Sequence, residues 1–332
     1  MKELIKYGID PDETSNVYDT TSLDVQGLAR RYPLRIHKVP SEAERGTEMC
    51  REDWASYVGP VEEWGNSCPQ IADLCALMFP LVKPERLALC AYLFEAGFLY
   101  DERVESHGTT TTGIINQRAK QSDAGLKKIM SKAQLELMKI DPVCAVAVMQ
   151  PWNDMLSCAF DRFKRKDQEF KNLDEYIDFR VIDAGCIWTG AILLFGMATT
   201  LSNEEKETAH DMLTPNWAAL VLENDYFSFN AENRDTSKSS EKAMMNSISL
   251  TMQWENVDEA IAKHKVQKRI IALEEEFLKA REQYLRNADQ YSPEMLRYLE
   301  AWFYVIPANV YWSTYCPRYN AERPKLGQIR ME

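Results

Sequence analysis

Apolar residues recur at helical spacing along most of this chain, and short polar breaks separate the stretches. In the clearest case, Pro84 opens a segment that stays almost continuously apolar until Asp101. Similar stretches cover 71–79, 123–149, 150–165, 173–199, 203–233, 240–290 and 293–315. The chain shows no strand-like alternation, no repeat and no linker rich in Gly, Ser or Pro. It therefore predicts one all-α domain of about ten or more helices over residues 1–320, followed by a polar tail at 321–332.

The chain is acidic and lacks signals for export or membrane insertion. It carries 39 Lys and Arg against 51 Asp and Glu, a formal net charge of −12, with no long basic run. Nucleic acids and anionic lipids select a concentrated basic face, so neither is expected as a partner. The N-terminus lacks the apolar core of a signal peptide, and no apolar stretch is long enough to cross a bilayer. The eight cysteines form no CxxC pair, which predicts free thiols and a cytoplasmic protein.

The first acidic cluster, Asp101 to Glu105, closes one of these helices. The two end residues are four apart and share a helix face, so both carboxylates can reach one point. Acids at this spacing are also typical of a solvated surface, and that interpretation stays open. Phe98 and Leu99 in the preceding turn favour carboxylates at the mouth of an apolar cavity.

A second cluster has a more specific pattern. Asn224, Ser228 and Glu232 fall at positions i, i+4 and i+8, which is one helical stripe. An amide oxygen, a hydroxyl and a carboxylate are the hard oxygen ligands that Mg²⁺ prefers. Two such groups on separate helices, facing across a cavity, can hold magnesium ions that in turn bind a diphosphate.

Two arginines stand where they could also bind a diphosphate. Arg180 precedes Asp183 and Gly185 in a helical stretch, and Gly185 can break or bend that helix. Arg318 and Tyr319 close the final helix. Guanidinium and phenol groups both donate hydrogen bonds to phosphate oxygens.

Together these motifs resemble class I terpene synthases, in particular the fungal cyclases that form the N-terminal domain of bifunctional di- and sesterterpene synthases. The resemblance covers most of the chain. Residues 101–105 look like the aspartate-rich motif, and 224–232 look like the NSE motif. Arg180 matches the pyrophosphate sensor, with Asp183 and Gly185 at the linker and effector positions. The pair at 318–319 is similar to the C-terminal Arg-Tyr pair.

The resemblance implies a carbon–oxygen lyase built as one helical bundle around a central active-site cavity. A cluster of Mg²⁺ ions, which Mn²⁺ can replace, would draw the diphosphate from a linear isoprenoid substrate, and the resulting cation would cyclise. The implied metal ligands are Asp101, Glu105, Asn224, Ser228 and Glu232. The implied diphosphate ligands are Arg180, Arg318 and Tyr319. Aromatic faces for the cation, which can also be read as ordinary core, are Phe98, Trp188 and Trp312.

Two residues depart from the family pattern. Glu102 stands where the aspartate-rich motif often has a second aspartate, so Asp101 is the better candidate for metal binding. Ala231 stands where many fungal relatives carry a lysine just before the last residue of the NSE motif. One cation that would bind diphosphate is therefore missing.

The resemblance favours geranylgeranyl diphosphate as substrate and a diterpene product, with geranylfarnesyl diphosphate and a sesterterpene as the alternative. A trans-prenyltransferase would need two aspartate-rich motifs, and the chain contains no Asp-Asp pair. In a natural bifunctional protein, a covalently linked prenyltransferase domain would follow the tail. Relatives often pair through helices, so a homo-oligomer stays open. The alternative of a non-catalytic helical protein, which binds diphosphate or acts as a scaffold, also stays open.

Overall fold

The computed structural model describes residues 2–61, 65–107, 115–164, 170–236 and 245–320. Within these ranges, side chains are described except at 2–3, 102–107, 115–123, 158–164 and 234–236. The helices are α1 (Lys2–Ile5), α2 (Pro40–Tyr57), α3 (Leu74–Met78), α4 (Pro84–His107), α5 (Ile115–Ile140), α6 (Pro142–Lys164), α7 (Leu173–Asp183), α8 (Cys186–Gly196), α9 (Asn203–Thr236), α10 (Ser247–Glu255), α11 (Glu259–Arg286) and α12 (Pro293–Tyr315). The two strands are β1 (Ser15–Val17) and β2 (Arg35–His37). The all-α prediction is confirmed.

The two strands form a small antiparallel pair before the first long helix. Ser15 pairs with His37, and Val17 pairs with Arg35. The buried Arg35 guanidinium donates to the Ser15 hydroxyl at 2.8 Å and forms an ion pair with Asp12. The sequence showed no strand pattern here because each strand has only three residues.

Helix α12 forms the centre of the bundle. Nearly all of its side chains are buried, from Met295 to Thr314. It packs against α9, α3 and α8, while α9 also packs against α11. The Ser292 hydroxyl accepts the Met295 amide at the helix N-terminus, and Pro293 occupies the first turn, where its missing N–H costs nothing.

The predicted break between 149 and 150 is wrong. Helix α5 ends at Ile140, and α6 continues through Pro151 to Lys164. Asp141 makes the break because its carboxylate accepts the amides of Val143 and Cys144 at 3.2 and 3.1 Å, while Pro142 starts α6.

Within the predicted helical stretch 240–290, the described residues form the two helices α10 and α11. Asn256 has a left-handed φ of +50°, which ends α10, and the Asp258 carboxylate caps α11. The buried face of α11 carries one acid among its apolar residues. Glu274 is buried, and it accepts the Ala29 amide at 3.0 Å.

Two further sequence features can be compared with the structure. Within the described residues, no single helix is long and apolar enough to cross a membrane, although α7 and α8 together, bent by 42°, meet that length and composition test. The described cysteine side chains are buried free thiols: Cys50, Cys68, Cys75, Cys90, Cys144, Cys186 and Cys316. The side chain of Cys158 and the predicted tail at 321–332 lie outside the described residues.

Candidate active site

The three predicted residues Arg180, Asp183 and Gly185 lie in the last turns of α7 and in the break before α8. Helix α7 ends at Asp183, and Gly185 then takes a left-handed φ of +72° before α8 begins. A side chain at Gly185 would be strained at that angle, and its Cβ would stand 2.6 Å from the sulfur of Met155. The predicted glycine break is confirmed.

Arg180 is the centre of the site because three acceptors surround its guanidinium. It donates to Asp183 at 2.6 Å, to Asp225 at 3.2 Å and to the Asn224 amide oxygen at 3.0 Å. Burial by itself lowers the pKa of Arg180, but Asp225 and Asp183 outweigh it and hold the pKa well above its ordinary value. The arginine is therefore a permanent cation in a fixed orientation.

Asp225 is a site residue whose role the sequence analysis missed. Its buried carboxylate accepts the Tyr176 hydroxyl at 2.6 Å and the Ser247 amide at 2.8 Å, besides Arg180. Its backbone oxygen accepts the Asn246 amide nitrogen at 2.9 Å. Asp225 thus ties α9 to α7 and to the start of α10. Its position beside Asn224 was visible in the sequence, but its partners on other helices were not.

The i, i+4, i+8 stripe lies within the long helix α9, which is unbroken from Asn203 to Thr236. Asn224 is held from both sides, because Arg180 donates to its oxygen and its nitrogen donates to the Tyr319 hydroxyl at 3.0 Å. Ser228 is buried, and Glu232 accepts from Asn246 at 3.1 Å. Burial and the nearby Asp225 raise the pKa of Glu232 above its ordinary value. A bound cation would stabilise the ionised form of this carboxylate.

The Arg-Tyr pair after α12 lies at the same end of the bundle. Tyr319 contacts Asn224 as described, and its ring meets Trp312 edge-on with centroids 5.6 Å apart. The Arg318 guanidinium lies 4.8 Å from the centre of the Phe98 ring. The geometry therefore brings together the NSE stripe, Arg180 and the C-terminal pair, which are distant in sequence.

The predicted aromatic residues form one continuous group. Phe98 lies 6.1 Å from Trp312 and 5.6 Å from Phe94. Phe94 in turn stacks on Trp188 at 6.2 Å, and Trp188 stacks on Trp152 at 5.7 Å. Gly97 makes room for Trp188, because a Cβ there would stand 2.6 Å from the indole ring.

The aspartate-rich segment occupies the last turns of α4. Asp101 is half-buried and follows Phe98 by one turn. Glu105 belongs to the same helix, but its side chain lies outside the described set.

Comparisons with known proteins show the family to which the chain belongs. Residues 98–276 match the family described as terpene synthase family 2, C-terminal metal binding. The chain belongs to this terpene synthase family. The matched range contains Asp101, Arg180 and the NSE stripe, and the resemblance to class I terpene synthases is confirmed.

The similar curated proteins are fungal terpene synthases. A variediene synthase of Aspergillus brasiliensis is 37% identical over 96% of this chain and 47% of the relative. The terpene cyclase ATR13 of Stachybotrys chlorohalonatus is 33% identical over 93% of this chain and 86% of the relative. The bifunctional sesterterpene synthase astC of Talaromyces wortmannii is 29% identical over 94% and 44%. The chain thus spans about half the length of several relatives, the variediene synthase among them.

Solved structures show the same fold at low sequence identity. Aristolochene synthase from Penicillium roqueforti superposes with a TM-score of 0.56 at 16% identity, over 84% of this chain and 96% of that one. The a-eudesmol synthase structure gives a TM-score of 0.65 at 14% identity, with the same coverage of both chains.

The donor set of this terpene synthase family member fits a hard divalent cation. Among the described side chains, no group of three or more His, Cys, Asp or Glu residues is placed to hold a metal ion by itself. The stripe instead offers a mixed set of amide, hydroxyl and carboxylate oxygens, and burial raises the pKa of its acidic member, Glu232. Oxygen ligands of this kind suit Mg²⁺ rather than thiolate-binding metals.

Proposed function

We propose that the chain is a magnesium-dependent terpene cyclase that ionises geranylgeranyl diphosphate, cyclises the resulting cation to a polycyclic diterpene and releases diphosphate. The observation that carries this proposal is the Arg180–Asn224–Tyr319 hydrogen-bonded series, which joins the residues predicted as sensor, metal ligand and C-terminal pair. Its members lie on α7, on α9 and after α12, so one site is assembled from three parts of the chain.

In this proposal the polar residues bind and orient the diphosphate. Asn224, Ser228, Glu232 and Asp101, with Glu105, would hold the Mg²⁺ ions. Bound Mg²⁺ supplies Lewis-acid stabilisation of the negative charge that develops on the departing diphosphate. Arg180 is held in place by Asp183 and Asp225 and would donate to the diphosphate with little reorganisation.

The C–O bond of the substrate breaks with its electron pair remaining on the diphosphate, and the hydrocarbon part becomes an allylic cation. The aromatic group of Phe98, Trp188 and Trp312 would face this cation and exclude water from it. Attack by the substrate's own double bonds forms the rings, and loss of a proton gives a neutral hydrocarbon. Gly185 would place the α7–α8 turn against the reacting end of the substrate.

A sesterterpene cyclase acting on geranylfarnesyl diphosphate is the second candidate. It is favoured by the similarity to a relative named a bifunctional sesterterpene synthase. That name, together with the half-length coverage, also supports a natural protein with a covalently linked prenyltransferase domain. Prenyl transfer by this chain itself is not favoured, because the second metal motif is of the NSE type and no Asp-Asp pair is present.

The test is incubation of the purified chain with farnesyl, geranylgeranyl or geranylfarnesyl diphosphate, each with Mg²⁺ and each with EDTA. Extracts are analysed by gas chromatography and mass spectrometry. We expect a cyclic diterpene from geranylgeranyl diphosphate only when Mg²⁺ is present. A cyclic product from the longer substrate alone would establish the second candidate instead.

A binding measurement separates a cyclase from a non-catalytic relative. Pyrophosphate with Mg²⁺ should raise the melting temperature, because a ligand that binds only the folded state stabilises it. If pyrophosphate stabilises the chain but no substrate is converted, the chain binds diphosphate without turnover, and the cyclase proposal is wrong. Mn²⁺ is expected to replace Mg²⁺ in both assays.

A further inference from the structure

Glu95 is a buried acid on α4 that the proposed reaction does not use. Its side chain is fully buried, and it forms an ion pair with Arg51 of α2 at 2.7 Å. Glu95 lies one turn before Phe98 on the same helix. Removing a carboxylate from water is unfavourable unless its oxygens are well satisfied, so its remaining contacts are informative.

The second oxygen of Glu95 accepts the backbone amide of Asn66 at 2.9 Å. Asn66 precedes α3, and its own backbone oxygen accepts two donors. One is the indole N–H of Trp312 at 2.8 Å, and the other is the Leu74 amide at 2.9 Å. Asn66 therefore links the Glu95 carboxylate on α4 to the Trp312 ring on α12 through its backbone alone.

The chain approaches Glu95 closely enough that residue 65 must be small. A Cβ built on Gly65 would overlap both carboxylate oxygens of Glu95. Glycine at this position thus lets the Asn66 amide reach the buried acid.

Trp312 lies between this anchor and the candidate active site. Its ring packs against Phe98 at 6.1 Å and against Tyr319 at 5.6 Å, and Tyr319 contacts Asn224. An indole has one N–H donor, so the bond to Asn66 selects one orientation of the ring.

We propose that Glu95 is a positioning residue, which holds the Asn66 backbone so that the Trp312 indole keeps one orientation against Phe98 and Tyr319, and which thereby controls the product composition. The control of products rests on the proposed cyclase function, whereas the control of the indole does not. Competing cyclisation routes differ by small free energies, so a modest change in ring position is enough to redirect them.

Two double variants separate the backbone anchor from the ion pair. Arg51→Met with Glu95→Gln removes both charges but keeps an amide oxygen that can accept the Asn66 N–H. Arg51→Met with Glu95→Met removes both charges and the acceptor. Neither variant leaves one charge of the Arg51–Glu95 pair buried without the other, so both are expected to fold.

The direct readout is the indole ¹⁵N–¹H resonance of Trp312, which can be assigned among the eight tryptophans with Trp312→Phe. We expect it to move in the Met/Met variant and to stay near its wild-type position in the Met/Gln variant. An unmoved resonance in both variants would overturn the proposal. An equal displacement in both would also overturn it, because the ion pair alone would then be responsible.

The second readout is product composition. The Met/Met variant should change the ratio of main to minor products by about fivefold relative to wild type, which corresponds to about 1 kcal/mol. The Met/Gln variant should keep the wild-type ratio. If the wild-type chain converts no isoprenoid diphosphate, the proposed function fails, while the resonance still decides whether Glu95 positions Trp312.

A matched control lies far from this anchor. Arg281 and Glu300 form another ion pair with a fully buried glutamate and a mostly buried arginine. Replacing both by Met should lower stability without moving the Trp312 resonance or the product ratio. If the Met/Met variant at 51 and 95 fails to fold, Gly65→Ala provides the test, since its Cβ displaces the Glu95 carboxylate. A wild-type resonance in that variant would overturn the proposal.

Discussion

Two mostly buried arginines in this bundle have very different surroundings. The α11–α12 cluster consists of Arg281, Glu300 and Tyr284. Arg281 donates to both oxygens of Glu300 at 2.8 and 2.7 Å, and Tyr284 donates to one of them at 2.8 Å. The α7–α9 cluster consists of Arg180 with Asp183, Asp225 and Glu232, which all raise the pKa of the arginine.

The difference between the clusters lies in their charge balance. In the α11–α12 cluster one guanidinium faces one carboxylate in a two-pronged pair, so the charges cancel. In the α7–α9 cluster two carboxylates, Asp183 and Asp225, accept from one guanidinium, and a third acid, Glu232, also contributes to its raised pKa. A buried cluster whose charges cancel is typical of a structural role. An excess of acidic groups beside hard oxygen donors instead favours the binding of further cations.

The largest expected effect is that of Asn224→Ala. This change removes one oxygen donor of the stripe and the link between Arg180 and Tyr319, so turnover should fall by about 10³-fold or more. Asn230→Ala is the matched control, because Asn230 is an exposed asparagine on the same helix that contacts Lys263. Steady-state product formation measures both. Wild-type turnover in Asn224→Ala would remove the stripe from the active site.

The direct test of the comparison is the same substitution in both clusters. Arg180→Lys loses the planar fork that serves three acceptors, and turnover should fall about 10²-fold. Arg281→Lys should leave turnover unchanged and lower the free energy of unfolding by about 1–3 kcal/mol. Turnover and urea denaturation are measured on both. Equal losses of turnover would erase the functional distinction between the clusters.

A further buried acid, Asp73, sharpens the comparison because the donors described for it are neutral. Asp73 accepts the Thr47 hydroxyl and the Cys75 amide at 2.8 Å each, and burial raises its pKa from 3.8 to about 7. The folded chain therefore holds this proton more tightly than the unfolded chain does. The resulting stability is fully present below about pH 4 and is lost as the pH rises through about 7.

The expected loss from this group between about pH 5 and pH 7 is about 2 kcal/mol in the free energy of unfolding. Asp73→Asn keeps an acceptor for both donors and should lack this loss. Asp258→Asn is the control, since Asp258 also caps a helix but is exposed. Urea denaturation at the two pH values measures the slopes. A slope in Asp73→Asn equal to that of wild type would rule out Asp73 as its source.

The smallest expected effect comes from adding a charge to the acid-rich cluster. Ala231 is half-buried beside Glu232. Ala231→Lys should strengthen pyrophosphate binding by up to about fivefold, as expected for one partly exposed charge. Asn230→Lys adds the same charge at the preceding exposed position. Calorimetry that finds equal affinities for Ala231→Lys and wild type would place residue 231 outside the site.

The sequence predicted the helices that carry the site because apolar residues recur through them between short polar breaks. Helix α2 was not predicted from the sequence. Its inward face contains small or weakly apolar residues such as Ala43, Gly46 and Thr47, which give little hydrophobic signal. Gly46 is needed there because a Cβ would overlap the backbone of Ala88 on α4.

The candidate site also contains residues that the sequence predicted and residues that it did not. The stripe at 224, 228 and 232 was predictable because its members share one helix, and helical geometry fixes their relative positions. Asp225, Asn246 and Glu95 were not assigned a role, since their partners come from other helices. Such contacts depend on how the helices pack, which local spacing does not determine.

The space that the Trp188 ring occupies has an evolutionary consequence. The ring fits because Gly97 has no side chain, and a single methyl group at that position would force the indole to move. A glycine codon becomes an alanine codon through one nucleotide change. A different arrangement of the aromatic group beside the candidate active site is therefore one mutational step away, with every polar residue of that site left as it is.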